Sequence, residues 1–147
     1  MVLATLAGGL LPTGIHVATW EELLTFTGTS RYRLTLIAGL RSAAFELKRC
    51  GCPTLYVDGS FVTDEPFPGD YDGCWELAGT DLAMLDPVLQ DFSNRRAAQK
   101  AKYGGELFPA SNLADTAGHT FLDFFQIDKH TGAPKGIIAL ELARLAR

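Results

Sequence analysis

The sequence predicts an α/β (α+β) domain: a small mixed β-sheet flanked by helices. Three observations carry this. The segment from Ser30 to about Arg49 has apolar residues at helical spacing. The segments "PTLYVDG", "YDGCWEL" and "ELFPA" are short, rich in apolar and β-favouring residues, and bounded by glycine or proline. The whole chain of 147 residues is 47% hydrophobic and 20% charged, a globular composition that excludes disorder.

The elements follow in order. The opening "MVLATLAGGLLPTG" is apolar, has no basic residues ahead of its apolar run, and is too short to span a bilayer. Residues 1–15 therefore read as an arm packed on the body or on a partner. "GIHVATWEELLTFTG" opens the first helix: Thr19 and Glu22 have the spacing of a capping box, and Gly28 closes it. Ser30 caps a second helix whose Leu34, Ile37, Leu40, Ala44 and Leu47 share one apolar face, with Gly51 as the stop.

"PTLYVDG" is a buried strand ended by Gly59, and "YDGCWEL" is the next strand. Asp86-Pro87 starts a third helix, with proline suited to the first helical position. That helix carries Asn94, Arg95, Arg96, Gln99, Lys100 and Lys102 on its wetter faces, and Gly104-Gly105 stops it. "ELFPA" is a third strand. "DTAGHTFLDFFQIDK" turns helical in its second half, its Phe121, Leu122, Phe124 and Phe125 reading as core, and "TGAP" is a turn. In "GIIALELARL" the isoleucines favour strand at the start, and the Ala/Leu/Arg content favours helix at the end. The chain reads as a single domain, 1–147, without internal repeats.

Charge and cysteine content exclude some functions. Thirteen basic and 17 acidic residues give a net charge of −4, and no basic run stands out, so no duplex-DNA surface is expected. Cys50, Cys52 and Cys74 lack the spacing of a zinc site and read as buried reduced thiols of a cytoplasmic protein. His16, His119 and His130 are scattered and read as surface or satisfied polar groups.

The chemistry concentrates between the first two strands. Asp70 and Asp72 stand two apart at the start of a strand, so both point to one face. Like charges this close keep one carboxyl protonated unless a cation joins them, and hard oxygen donors suit Mg²⁺. Asp-x-Asp alone also fits a solvated strand end. Upstream, Gly59-Ser60 closes the preceding strand: glycine admits close backbone approach, and such a turn can hold phosphate oxygens. Nine residues, 61–69, separate the two features.

This combination resembles the nucleotidyltransferase superfamily, which includes DNA polymerase beta, minimal nucleotidyltransferases and many toxin–antitoxin proteins. The resemblance rests on residues 54–108: an apolar strand ending in Gly-Ser, a loop, and Asp70-Tyr71-Asp72. "LPTGIH", "VDGSFVT" and "PGDYD" also look like a group of small stand-alone members without assigned function. The resemblance implies a nucleotidyltransferase-like fold, Gly59 and Ser60 as the phosphate turn, and Asp70 and Asp72 as ligands of a two-Mg²⁺ site with an NTP as substrate. It further implies a third carboxylate on a later strand. Glu106 is the best candidate, with Asp115 and Asp123 as competitors. A glutamate there departs from the commoner aspartate, and so does Asp58 before the glycine turn.

Lys100, Lys102 and Lys135 are candidates for meeting the triphosphate. The rings of Tyr71 and Trp75 suit stacking on a base, with core packing as the other reading for Trp75. The expected activity is transfer of a nucleoside monophosphate to a hydroxyl on protein, RNA or a small molecule. The alternative is a catalytically degenerate fold serving as a binding or antitoxin-like module. Larger members carry an extra substrate-binding domain, which points here to a macromolecular acceptor, a toxin–antitoxin partner or a homo-oligomer. No membrane association is expected.

Overall fold

A computed structural model describes residues 11–28, 30–58, 69–129 and 131–146. The elements run β1 (Gly14–Ala18), α1 (Trp20–Thr27), α2 (Arg31–Arg49), β2 (Thr54–Asp58), β3 (Tyr71–Trp75), α3 (Ser93–Tyr103), β4 (Gly105–Pro109), α4 (Phe121–Phe124) and β5 (Gly136–Glu141). Short 3₁₀ turns, Pro87–Gln90 and Leu142–Arg144, precede α3 and follow β5. Among the described residues the sheet has five strands in the order β1-β5-β2-β3-β4. The outer pairs β1/β5 and β3/β4 are parallel, while β5/β2 and β2/β3 are antiparallel. The architecture is thus α/β (α+β) with a mixed sheet.

Local chemistry explains the helices. Thr19 and Glu22 form the reciprocal capping box on α1, and Gly28 is its C-cap. The Ser30 hydroxyl accepts from the Arg33 N–H at the start of α2, and Gly51 follows its end at φ +89. Ile37, Leu40, Ala44 and Leu47 face the core as their spacing requires, but Leu34 is exposed. It sits with Leu24 against Gly28 at the corner between α1 and α2, outside the packed face.

Residues alternate across each strand. One face presents Leu55, Val57, Tyr71, Trp75, Leu107, Ile138 and Leu140 to α1, α2 and the end of α3, and these form the main core. Gly39 lets α2 reach α3: a Cβ there would lie 2.0 Å from the Tyr103 carbonyl oxygen. Gly105 makes room for the buried ring of Tyr71, whose hydroxyl donates to the Tyr103 carbonyl at 2.9 Å. The opposite face carries a smaller cluster, Cys74, Ala110, Phe125 and Ile137, with Tyr56, Phe108, Phe121 and Leu122 against it.

Four elements differ from the sequence expectation. β1 covers Gly14–Ala18, so residues 14 and 15 belong to the sheet and not to an arm; Leu11 before it is buried, and residues 1–10 lie outside the described residues. The strand exists because it pairs with the distant β5, which local sequence cannot signal. The helix expected from Pro87 is broken: a 3₁₀ turn ends at Gln90, and α3 begins at Ser93. Within it Asn94, Arg95 and Arg96 are left-handed (φ 52, 56 and 60), a conformation that costs roughly 1–2 kcal/mol per residue. Gln99, expected on a wet face, is fully buried. Its Oε1 accepts from the Leu107 N–H at 2.8 Å, which satisfies a donor on the outer edge of β4. The helix near Phe121 is only four residues long, and the tail is strand followed by a 3₁₀ turn.

Cys50, Cys52 and Cys74 are buried and free. Among the described residues no helix is long and apolar enough to cross a membrane.

Candidate functional site

Strand register builds the site. Asp58 on β2 pairs with Asp72 on β3, and Asp72 pairs with Glu106 on β4. The three side chains therefore lie in a row on the less covered face, opposite the Leu55–Val57 side. Asp70, two residues before Asp72, joins the row from the start of β3. Carboxylate oxygens of Asp70, Asp72 and Glu106 all lie within 4.8 Å of one another.

Cations flank the row. Lys135, just before β5, holds Asp58 at 2.7 Å, and both side chains are largely buried. On the other side Arg96 reaches Glu106 through Nε at 2.9 Å and Nη2 at 2.8 Å, and Lys100 stands 3.3 Å from the same oxygen. The buried Gln99 fixes α3 against β4, which brings both cations over Glu106.

The electrostatics separate the carboxyls. Burial, repulsion from Asp70, a hydrogen bond with Glu106, and the charges of Glu106 and Asp58 push Asp72 up to about 7. Burial and the Glu106 charge also raise Asp70, against Lys100, Lys129 and Arg96. Burial opposes ionisation of Glu106, but hydrogen bonds from Arg96 and Asp72, and the charges of Arg96 and Lys100, outweigh it and lower its pKa. Of the three carboxyls Asp72 thus holds a proton most readily, while the cationic neighbours of Glu106 favour its ionised form. A proton held between converging carboxylates takes the place a cation would fill.

The donor set fits a hard divalent ion. It offers three carboxylates and no nitrogen or sulfur, as Mg²⁺ prefers. Asp58 is matched by Lys135 and is not part of the converging trio.

The other candidates fall as follows. Gly59 and Ser60 directly follow β2 and lie outside the described residues. Lys100 lies at the cluster, and Lys135 is committed to Asp58. Lys102 is away from it, paired with Asp86. Tyr71 and Trp75 are fully buried in the main core, so neither ring is open to a base. Asp115 is engaged by His119 at 2.7 Å, and Asp123 lies exposed in α4, so Glu106 is the carboxylate that meets the pair.

Arg96 was missed by sequence reasoning. Its proximity depends on the left-handed turn, which Asn-Arg-Arg does not announce. Asp58 had a readable signal in retrospect: a carboxylate closing an apolar strand needs a partner, and Lys135 is one of few lysines near a strand.

A family model described as a family of unknown function, DUF6932, matches residues 4–141, and the chain belongs to that family. No curated protein and no solved structure matches the chain significantly.

Proposed function

We propose that this member of DUF6932 is a Mg²⁺-dependent nucleotidyltransferase of the polymerase beta-like kind. It would move a nucleoside monophosphate from an NTP to a hydroxyl on a protein, an RNA or a small molecule. The observation that carries the reading is the convergence of Asp70, Asp72 and Glu106 within 4.8 Å, beside the strand end that Gly59-Ser60 follows. The motif resemblance over residues 54–108 adds to this as an analogy.

Asp70, Asp72 and Glu106 are the residues that would hold Mg²⁺. Bound there, the ion supplies charge neutralisation at the phosphates and acidifies a hydroxyl next to it. The rest is work for side chains. Asp72, whose pKa is raised by burial and by the charges of Asp70, Glu106 and Asp58, would hold the ion as the ionised carboxylate. Lys100, 43% exposed beside Glu106, meets phosphate oxygens. Gly59 and Ser60, outside the described residues, keep the phosphate-turn role that the resemblance implies. The acceptor oxygen attacks the α-phosphorus in line, the bond to the β-phosphate oxygen breaks, and pyrophosphate leaves. The hydroxyl proton passes to a site carboxylate and then to water. Cytoplasmic location accords with the free buried thiols.

One observation favours the second reading, a degenerate binding or antitoxin-like module acting with a protein partner or a second copy. Glu106 already has Arg96 and Lys100 on one oxygen, and these cations compete with a metal ion.

The test uses α-labelled NTPs with Mg²⁺ and a host lysate. Wild type transfers label to a macromolecule, and Asp70→Asn and Asp72→Asn do not. Equal thermal shifts with NTP and Mg²⁺ in wild type and both variants would sink the catalytic reading. Nucleotide binding without any transfer favours the binding module.

A further inference from the structure

An aromatic ladder climbs from the small core cluster to the surface beside the carboxylates. Phe125 leans on Phe121 and Phe108. Phe121 and Phe108 stack at 4.0 Å with ring planes 3° apart, and Phe108 and Phe92 follow at 5.7 Å and 17°. Phe92 ends the ladder, 39% exposed. An aromatic ring whose one side is stacked offers a flat apolar face on which another ring can stack.

The ladder is tied to the acidic row. Phe108 lies two residues after Glu106 on β4 and on the same face. Arg96 links the two: its guanidinium lies 5.6 Å from the Phe108 ring centre, and its Nη2 lies 2.8 Å from Glu106. Phe92 caps α3 and Arg96 is the last residue of its left-handed turn, so one short segment carries both the terminal ring and the cation. Two strand residues plus one stacking step place the Phe92 ring roughly 10 Å from the carboxylates. That is the reach from a nucleotide's base to its phosphates. Lys100 adds an exposed positive charge on the phosphate side of this path.

We propose that Phe92 is the shelf for the base of the nucleotide whose phosphates meet Asp70, Asp72 and Glu106. The proposal rests on the nucleotidyltransferase reading and deepens it. A ring face offers stacking area and no base-edge hydrogen bonds. The shelf therefore takes any base and favours purines, which cover more of it. It takes over the role that the sequence offered to Tyr71 and Trp75, both closed off in the core.

The experiment compares Mg-ATP with Mg-tripolyphosphate, which has the phosphates and no base, on the full chain. Calorimetry on wild type, Phe92→Ala and Phe92→Trp gives the affinities. Wild type is expected to bind ATP about tenfold tighter than tripolyphosphate. Phe92→Ala loses that advantage while its tripolyphosphate affinity is unchanged. Phe92→Trp keeps it, and its indole fluorescence is quenched by ATP and not by tripolyphosphate. Equal binding of the two ligands by wild type, or full ATP affinity in Phe92→Ala, overturns the shelf and leaves the phosphate site standing. No binding of either ligand by wild type overturns the shelf and the nucleotidyltransferase reading together.

Discussion

The two faces of the sheet solve different problems with the same strands. One is sealed by α1, α2 and the end of α3; its side chains are mostly apolar, the Tyr71 hydroxyl is hydrogen-bonded within the core, and the buried Trp75 indole N–H has no partner among the described residues. On the other, the described roof is the short α4 and its phenylalanines, and past them Asp58, Asp72 and Glu106 stand abreast. Packing that favours folding is concentrated on the first face. The second holds like charges together in a half-buried row, which opposes folding unless a proton or a cation intervenes. A fold spends stability in this way where a site needs preset charge.

The largest expected effect breaks the packed face. Leu40 is fully buried against the sheet, so Leu40→Ala should cost about 3 kcal/mol through lost burial and a cavity. Chemical denaturation at pH 7 reads it out, and the loss should be the same with and without Mg²⁺. A loss under about 1 kcal/mol would mean this face is not the main core.

The second effect sharpens the contrast by reversing its sign. Asp72 is pushed up to about 7 in the folded state, against 3.8 when exposed. The folded protein therefore binds more protons than the unfolded chain in this range, and stability falls as pH rises from about 4 to about 7. Asp72→Asn removes the carboxylate. Without divalent ions the variant should be more stable than wild type at pH 8 by about 1–2 kcal/mol, and the gap should widen from pH 5 to pH 8. Thermal melts across that range in EDTA check it. A difference that stays flat with pH would show that Asp72 ionises freely.

The legible and illegible parts of this molecule follow the range of the interactions. Thr19 with Glu22, Ser30 and Gly51 mark helix ends because a cap acts within a few residues. Asp70 and Asp72 were legible as a pair because strand alternation alone puts them on one face. Glu106 followed from the resemblance, which implies a third carboxylate on a later strand. β1 was hidden because its partner, β5, lies at the other end of the chain and its own five residues carry a weak pattern. The left-handed turn at Asn94–Arg96 was hidden because the contacts that accompany it, Arg96 with Glu106 and with Phe108, are tertiary. Arg96, which meets Glu106, belongs to that turn, and Phe92 stands just before it. The partnership of Asp58 with Lys135 is likewise tertiary.

We propose that Asp70, Asp72 and Glu106 form one divalent-cation site in exchange for a proton. Calorimetric titration of Mn²⁺ into the full chain tests it directly, run at pH 7 in two buffers of different ionisation enthalpy and repeated at pH 9. The account predicts binding to wild type with part of a proton released at pH 7 and none at pH 9, and loss of binding in Asp70→Asn and Asp72→Asn. Wild type that binds no Mn²⁺, or variants that bind it as wild type does, would contradict the account.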